Sequence, residues 1–201
     1  VSETTPDAPA IPGVGDLLKN RGFTGLMTYR LLAMLSYQIV AVTVGWHVYE
    51  LTRDAFALGL IGLAEVIPYF CFALSAGYAG DHLPRRKPGM AACIGLLLTT
   101  LTLAGVASGV LPAGTSSFGT LTIYAAIAVN GVVRAFLAPV YMSLFARVLK
   151  REQFVRGAGV SSVVMQTGLV LGPAAGGLLV AWGGKSAAYL VAGGIYGGGG
   201  E

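Results

Sequence analysis

The sequence predicts an all-α membrane protein built as a bundle of six transmembrane helices. Three observations lead there. Charged residues are scarce, apolar runs are long and unbroken, and the basic residues collect in the short breaks between those runs. Only 11% of the 201 residues are charged and 55% are hydrophobic, where soluble domains carry about 25% charged residues. Mean hydropathy is +0.72. Lipid offers the backbone no hydrogen bonds, so only helices or closed barrels span it. Barrel strands alternate in character over about 10 residues. The runs here are about twice that length and continuously apolar, which makes them helices.

The elements follow in order. Residues 1–22 hold Pro6, Pro9 and Pro12 with Ser2, Glu3 and Asp7, and lack the basic start and cleavage site of a signal peptide. They predict a disordered tail that leads into a short interfacial segment over 17–22. Spans are expected at about 23–48, 57–79, 90–111, 118–145 and 155–182, so that residues 23–198 form one membrane domain. A sixth run, 186–196, would reach only about 16 Å as a helix. It dissolves into four glycines and Glu201, which reads as a short helix or a cut or altered end.

Lysine and arginine placement predicts the orientation. With the N-terminus inside, the inner segments carry Lys19, Arg21, Arg85, Arg86, Lys87, Arg147, Lys150, Arg151 and Arg156. The outer ones carry only Arg53 and Lys185. Trp46, Tyr49 and Trp182 fall at outer span ends, where interfacial aromatics belong. The expected location is a multi-pass protein of the bacterial inner membrane with a cytoplasmic N-terminus.

Several functions are set aside by what is missing. No basic patch with interleaved aromatics suggests nucleic acid. Cys71 and Cys93 lie in apolar runs without the spacing of a metal site, so no metal or other cofactor is expected. No phosphate-binding glycine loop, metalloprotease helix or nucleophile elbow marks an enzyme. Energy for any transport would come from a gradient.

Ionisable groups within lipid are costly and point to function. Glu65 is the carboxylate deep in an apolar run, about 24 Å from Asp81 along a helix. It is the candidate for proton coupling, with a hydrogen-bonded structural acid beside Pro68 as the alternative. Asn130, Arg134 and Tyr141 share a stripe of the fourth span. They are expected to line a central substrate cavity, where Arg134 attracts an anionic or polar molecule; a structural arginine bonded to carbonyls is the alternative. His47 reads as interfacial, and Arg30 as snorkelling to the inner surface.

Two motifs carry a resemblance. Gly77-Tyr78-Ala79-Gly80-Asp81-His82-Leu83-Pro84-Arg85-Arg86-Lys87 is a short, strongly basic loop between the second and third spans. It resembles the major facilitator signature G-x-x-x-D-R-x-G-R-R-K, matching at Gly77, Asp81, Arg85, Arg86 and Lys87 and departing at His82 and Pro84. Gly168-x-x-x-Gly172-Pro173-x-x-Gly176-Gly177 resembles the fifth-helix motif of drug/proton antiporters in that superfamily. The segments Gly45-Trp46-His47-Val48-Tyr49-Glu50-Leu51-Thr52 and Leu58-Gly59-Leu60-Ile61-Gly62-Leu63-Ala64-Glu65 are similar to the third antiporter group, the enterobactin-exporter-like branch.

The resemblance covers about residues 20–190 and implies the N-terminal half of a twelve-helix fold, made of two inverted three-helix repeats. It implies proton-coupled efflux of an amphipathic organic molecule, such as a drug or siderophore, by alternating access. The loop would be a cytoplasmic gate with Arg147 as a partner, and the Gly168–Gly177 motif a kinked hinge. Gln38 would join the cavity lining. The implied partners are the bilayer, protons, a small-molecule substrate, and a missing C-terminal half or second copy. The rival reading is a non-transporting half-length module, or a half-transporter that must dimerise.

Overall fold

The computed structural model describes residues 14–82, 86–110 and 117–198. Helices account for nearly all of them: α1 (Val14–Lys19), α2 (Arg21–Thr52), α3 (Ala55–His82), α4 (Arg86–Ala107), α5 (Ser117–Val148) and α6 (Phe154–Gly198), with one 3₁₀ turn, Arg151–Gln153, before α6. Four of these are long and apolar enough to cross a membrane, and α4 contributes a shorter apolar stretch, Ile94–Ala107. The helices outrun the apolar runs that announce them. The 32 residues of α2 extend about 48 Å, where the hydrocarbon core is about 30 Å thick.

The interfacial segment expected over 17–22 is instead a helical turn that ends at Lys19, with Asn20 starting α2. The Asn20 side chain accepts from the Gly22 amide at 3.0 Å, an N-cap that satisfies an otherwise orphan donor. Gly77 and Gly80 do not end α3, which runs on to His82. A helix keeps its backbone bonds satisfied as it leaves the lipid, so the predicted loop shrinks to the few residues between α3 and α4.

The fifth and sixth expected spans are the two limbs of α6, 154–183 and 185–198. They meet at Gly184, whose backbone is non-helical at φ 73°, ψ 175°. That conformation belongs essentially to glycine. Pro173 does not break the first limb; the helix continues through it.

Packing does not follow chain order. The most extensive contacts are α2 with α6 and α3 with α5, while α4 rests on both α5 and α6 and α2 barely touches α3. The first span thus pairs with the fifth and the second with the fourth. Exchanging the two three-helix units carries one pairing onto the other, as a bundle of two repeats requires.

Small residues set these pairings, because close backbone approach is what holds helices together where lipid is as apolar as leucine. A Cβ on Gly168 would sit 2.7 Å from Met34 Cγ, one on Gly176 would sit 3.1 Å from Ile39 Cα, and one on Gly172 would collide with Gln38 Cβ. On the other pair, a Cβ on Gly131 of α5 would strike the carbonyl of Glu65 on α3.

Two apolar cores result. One gathers Val44 and Val48 with Leu103, Ile123 and Tyr189; the other joins Leu17, Phe23 and Met27 to Phe145 and Leu149. Residues 28–38 of α2 and 128–144 of α5 lie between them. The outer surface is apolar, with Phe56, Phe70, Leu74 and Trp182 exposed, as lipid-facing helices should be.

Candidate functional site

Between the two cores three helices bring a carboxylate, a guanidinium and a phenol together. Arg134 Nη1 donates to Glu65 Oε1 at 2.5 Å. The Tyr37 hydroxyl donates to Glu65 Oε2 at 3.3 Å. The Arg134 guanidinium carbon lies 3.9 Å from the centre of the Tyr37 ring, within the range of a cation–π contact. Each member faces the other two, so the charge of Arg134 is met on its edge by a carboxylate and on its face by a ring.

The local sequence explains the meeting. Gly131 lets α5 press against the backbone of Glu65, and Arg134 follows one helical turn later on the same face. Glu65 keeps 17% of its side-chain exposure and Arg134 39%. The arginine is therefore the more exposed of the two. Tyr196, near the end of α6, lies within electrostatic range of Arg134, Tyr37 and Glu65.

A second stack lies deeper toward the N-terminal end of α2. The Arg30 guanidinium carbon is 3.9 Å from the centre of the Tyr141 ring, and Arg30 Nη2 approaches Met165 Sδ at 3.7 Å. Tyr141 shares a hydrogen bond of 3.0 Å with Ser161 Oγ. Arg30 thus reaches across the bundle instead of snorkelling to the surface, because a half-buried aromatic face on α5 offers it a partner nearer than the interface.

The remaining expected residues are distributed as follows. Asn130 is buried, and its carboxamide oxygen has no partner among the described residues. Gln38 donates to the Leu169 carbonyl at 3.5 Å and packs on Gly172, so it joins α2 to α6. Gly168, Gly172 and Gly176 form that interface with Pro173 among them, whereas Gly177 faces open space. Gly77 also faces open space, and Arg147 is exposed in the last turn of α5. Arg85 and the side chains of Asp81, Arg86 and Lys87 lie outside the described residues. His47 is buried, not interfacial, with its ring 6.3 Å from that of Tyr189. At the same end, Lys185 Nζ meets Glu50 Oε2 at 2.5 Å.

In the sequence Arg134 and Tyr141 share a stripe and Glu65 stands apart, and nothing local names Tyr37 or Arg30 as their partners. A signal was there. Arg30 precedes Tyr37, and Arg134 precedes Tyr141, by the same seven residues, in the first and fourth spans. In antiparallel helices that shared spacing lets each arginine reach the other helix's tyrosine.

A groove of about 500 Å³ runs along α2 beside Lys19, Arg21, Thr28 and Tyr29; neither Glu65 nor Arg134 lines it. Among the described residues no group of histidine, cysteine and carboxylate side chains could hold a metal ion.

No curated protein and no solved structure matches the chain. The family model described as Major Facilitator Superfamily matches residues 26–200, a stretch that begins inside α2 and holds the later spans and both arginine–tyrosine stacks. A multi-pass helical bundle, charges gathered between two apolar cores and a family match over most of the sequence agree: the chain belongs to the Major Facilitator Superfamily, a family of membrane transporters.

Proposed function

We propose that the chain works in proton-coupled export of an amphipathic organic molecule, with Glu65 as the group that takes and releases the proton. The observation that carries this reading is the three-helix junction of Glu65, Arg134 and Tyr37. A carboxylate in that position holds α3 to α5 through Arg134 and to α2 through Tyr37. A proton on Glu65 removes the negative charge and with it the ion pair. Arg134 then keeps only the Tyr37 ring, and α3 and α5 lose the bond that fixes their spacing beside Gly131. Loss of the proton restores the bond. Proton occupancy is thereby converted into helix spacing, which is what alternating access needs from a coupling site.

In this reading the α2–α6 glycine interface is the surface on which the first and fifth spans slide, and the basic segment after α3 faces the cytoplasm with the N-terminus. Gln38, Asn130 and Tyr141 line the route of the substrate. The test is flux in proteoliposomes holding the full chain, with a fluorescent amphipathic dye as probe. An imposed pH gradient is expected to drive dye movement. Glu65→Gln is expected to abolish the response to the gradient while dye-for-dye exchange continues. Gradient-driven flux at the original rate in Glu65→Gln would defeat the coupling role.

A further inference from the structure

We propose that Arg30, stacked on Tyr141, binds the anionic group of the transported molecule, so that the substrate is an organic anion with an apolar body. Few charges lie within the spans. Among the described residues, the aspartate, glutamate, lysine and arginine side chains well inside the spans are Arg30, Glu65 and Arg134. Glu65 is committed to Arg134 at 2.5 Å, and that pair is neutral. Arg30 has no carboxylate partner among the described residues. Its contacts are an aromatic face and a thioether sulfur, neither of which carries charge.

An uncompensated guanidinium within a membrane is expensive and marks a place where an anion is wanted. Arg30 sits nine residues into α2, about 14 Å along the helix, and its guanidinium rests at the Tyr141 ring. The stack also prepares the group for a ligand. Tyr141 covers the flat face of the guanidinium, and its hydroxyl is tied to Ser161, which fixes the ring. The in-plane N–H donors, apart from the one directed at Met165, stay available in the fork that suits a carboxylate, sulfonate or phosphate. Arg134, to which sequence reasoning assigned the anion, is held by Glu65 and serves the coupling junction instead.

The inference rests on the transport reading, and equilibrium binding separates the two. The purified full chain is titrated with pyrenebutyrate and with its neutral counterpart pyrenebutanol, followed by fluorescence. The carboxylate is expected to bind at least tenfold more tightly than the alcohol. Arg30→Gln should erase that preference and Arg30→Lys should retain part of it. Labelling of the unaltered protein with phenylglyoxal, read by peptide mass spectrometry, needs no variant to fold: pyrenebutyrate should protect Arg30 and pyrenebutanol should not. Equal affinity for the two probes, a preference that survives Arg30→Gln, or labelling of Arg30 that pyrenebutyrate leaves unchanged would each overturn the anion site, while gradient-driven flux decides the transport reading on its own.

Discussion

Removing either partner of the Glu65–Arg134 pair should cost nearly as much as removing both. The pair lies between two apolar cores, and taking one member from a buried pair leaves an uncompensated charge, at a cost of about 3–5 kcal/mol. Exposed pairs contribute only about 0–1 kcal/mol. Arg134 keeps 39% of its side-chain exposure and so is only partly buried; for Glu65→Gln a loss of about 2 kcal/mol follows from lying between those limits. Arg134→Met removes the stack on Tyr37 as well and strands a carboxylate that is only 17% exposed; a loss of about 3 kcal/mol is expected. The double variant strands no charge and should also lose about 3 kcal/mol, which leaves a coupling of about 2 kcal/mol between the sites. The assay is reversible unfolding of detergent-purified protein, followed by the fluorescence of Trp46 and Trp182. Single losses that add to within about 0.5 kcal/mol of the double loss would refute the claim that these side chains act as one unit.

Two further outcomes test the helix contacts. Gly172→Val should force α2 away from α6, because a Cβ there already collides with Gln38; about 1–3 kcal/mol should be lost, whereas Gly177→Val, facing open space, should shift the thermal midpoint little. Gly184→Ala should destabilise the elbow of α6 by about 1–3 kcal/mol, since φ 73°, ψ 175° is a region that residues with a Cβ avoid; a midpoint equal to that of the unaltered protein would contradict the strain.

The helical class was legible because lipid imposes one rule on every span, and continuous apolar runs satisfy it. Partners were harder to read. Glu65 and Arg134 are 69 residues apart, and a span's own sequence does not state which neighbour it will face. One acid and two bases inside the apolar runs did signal a pair, but choosing between Arg30 and Arg134 depends on Gly131, whose close approach to Glu65 is a tertiary fact. The elbow of α6 at Gly184 was legible, because it falls in the break between the expected fifth and sixth spans, whereas Pro173 leaves the helix unbroken. Pro173 lacks a donor and so invites a kink, yet helices in lipid tolerate proline. His47 was read from its distance to the span end, and only the fold brings the Tyr189 ring over it.

The two arginine–tyrosine stacks join helices that are made far apart in time. Synthesis proceeds from the N-terminus, and domains acquire their contacts in that order. Arg30 therefore enters the bilayer with the first span while Tyr141 waits for three more segments to be laid down. Until the fourth span arrives, neither stack exists and Glu65 has no arginine. This junction thus forms in one step, when α5 supplies a ring to Arg30 and a cation to Tyr37 and Glu65 together, and α6 arrives afterwards to pack on α2 and α4. An arrested chain that ends before Ser117 should remain an open set of spans, exposed to quality-control proteases; the fourth span ties the first two together through Glu65.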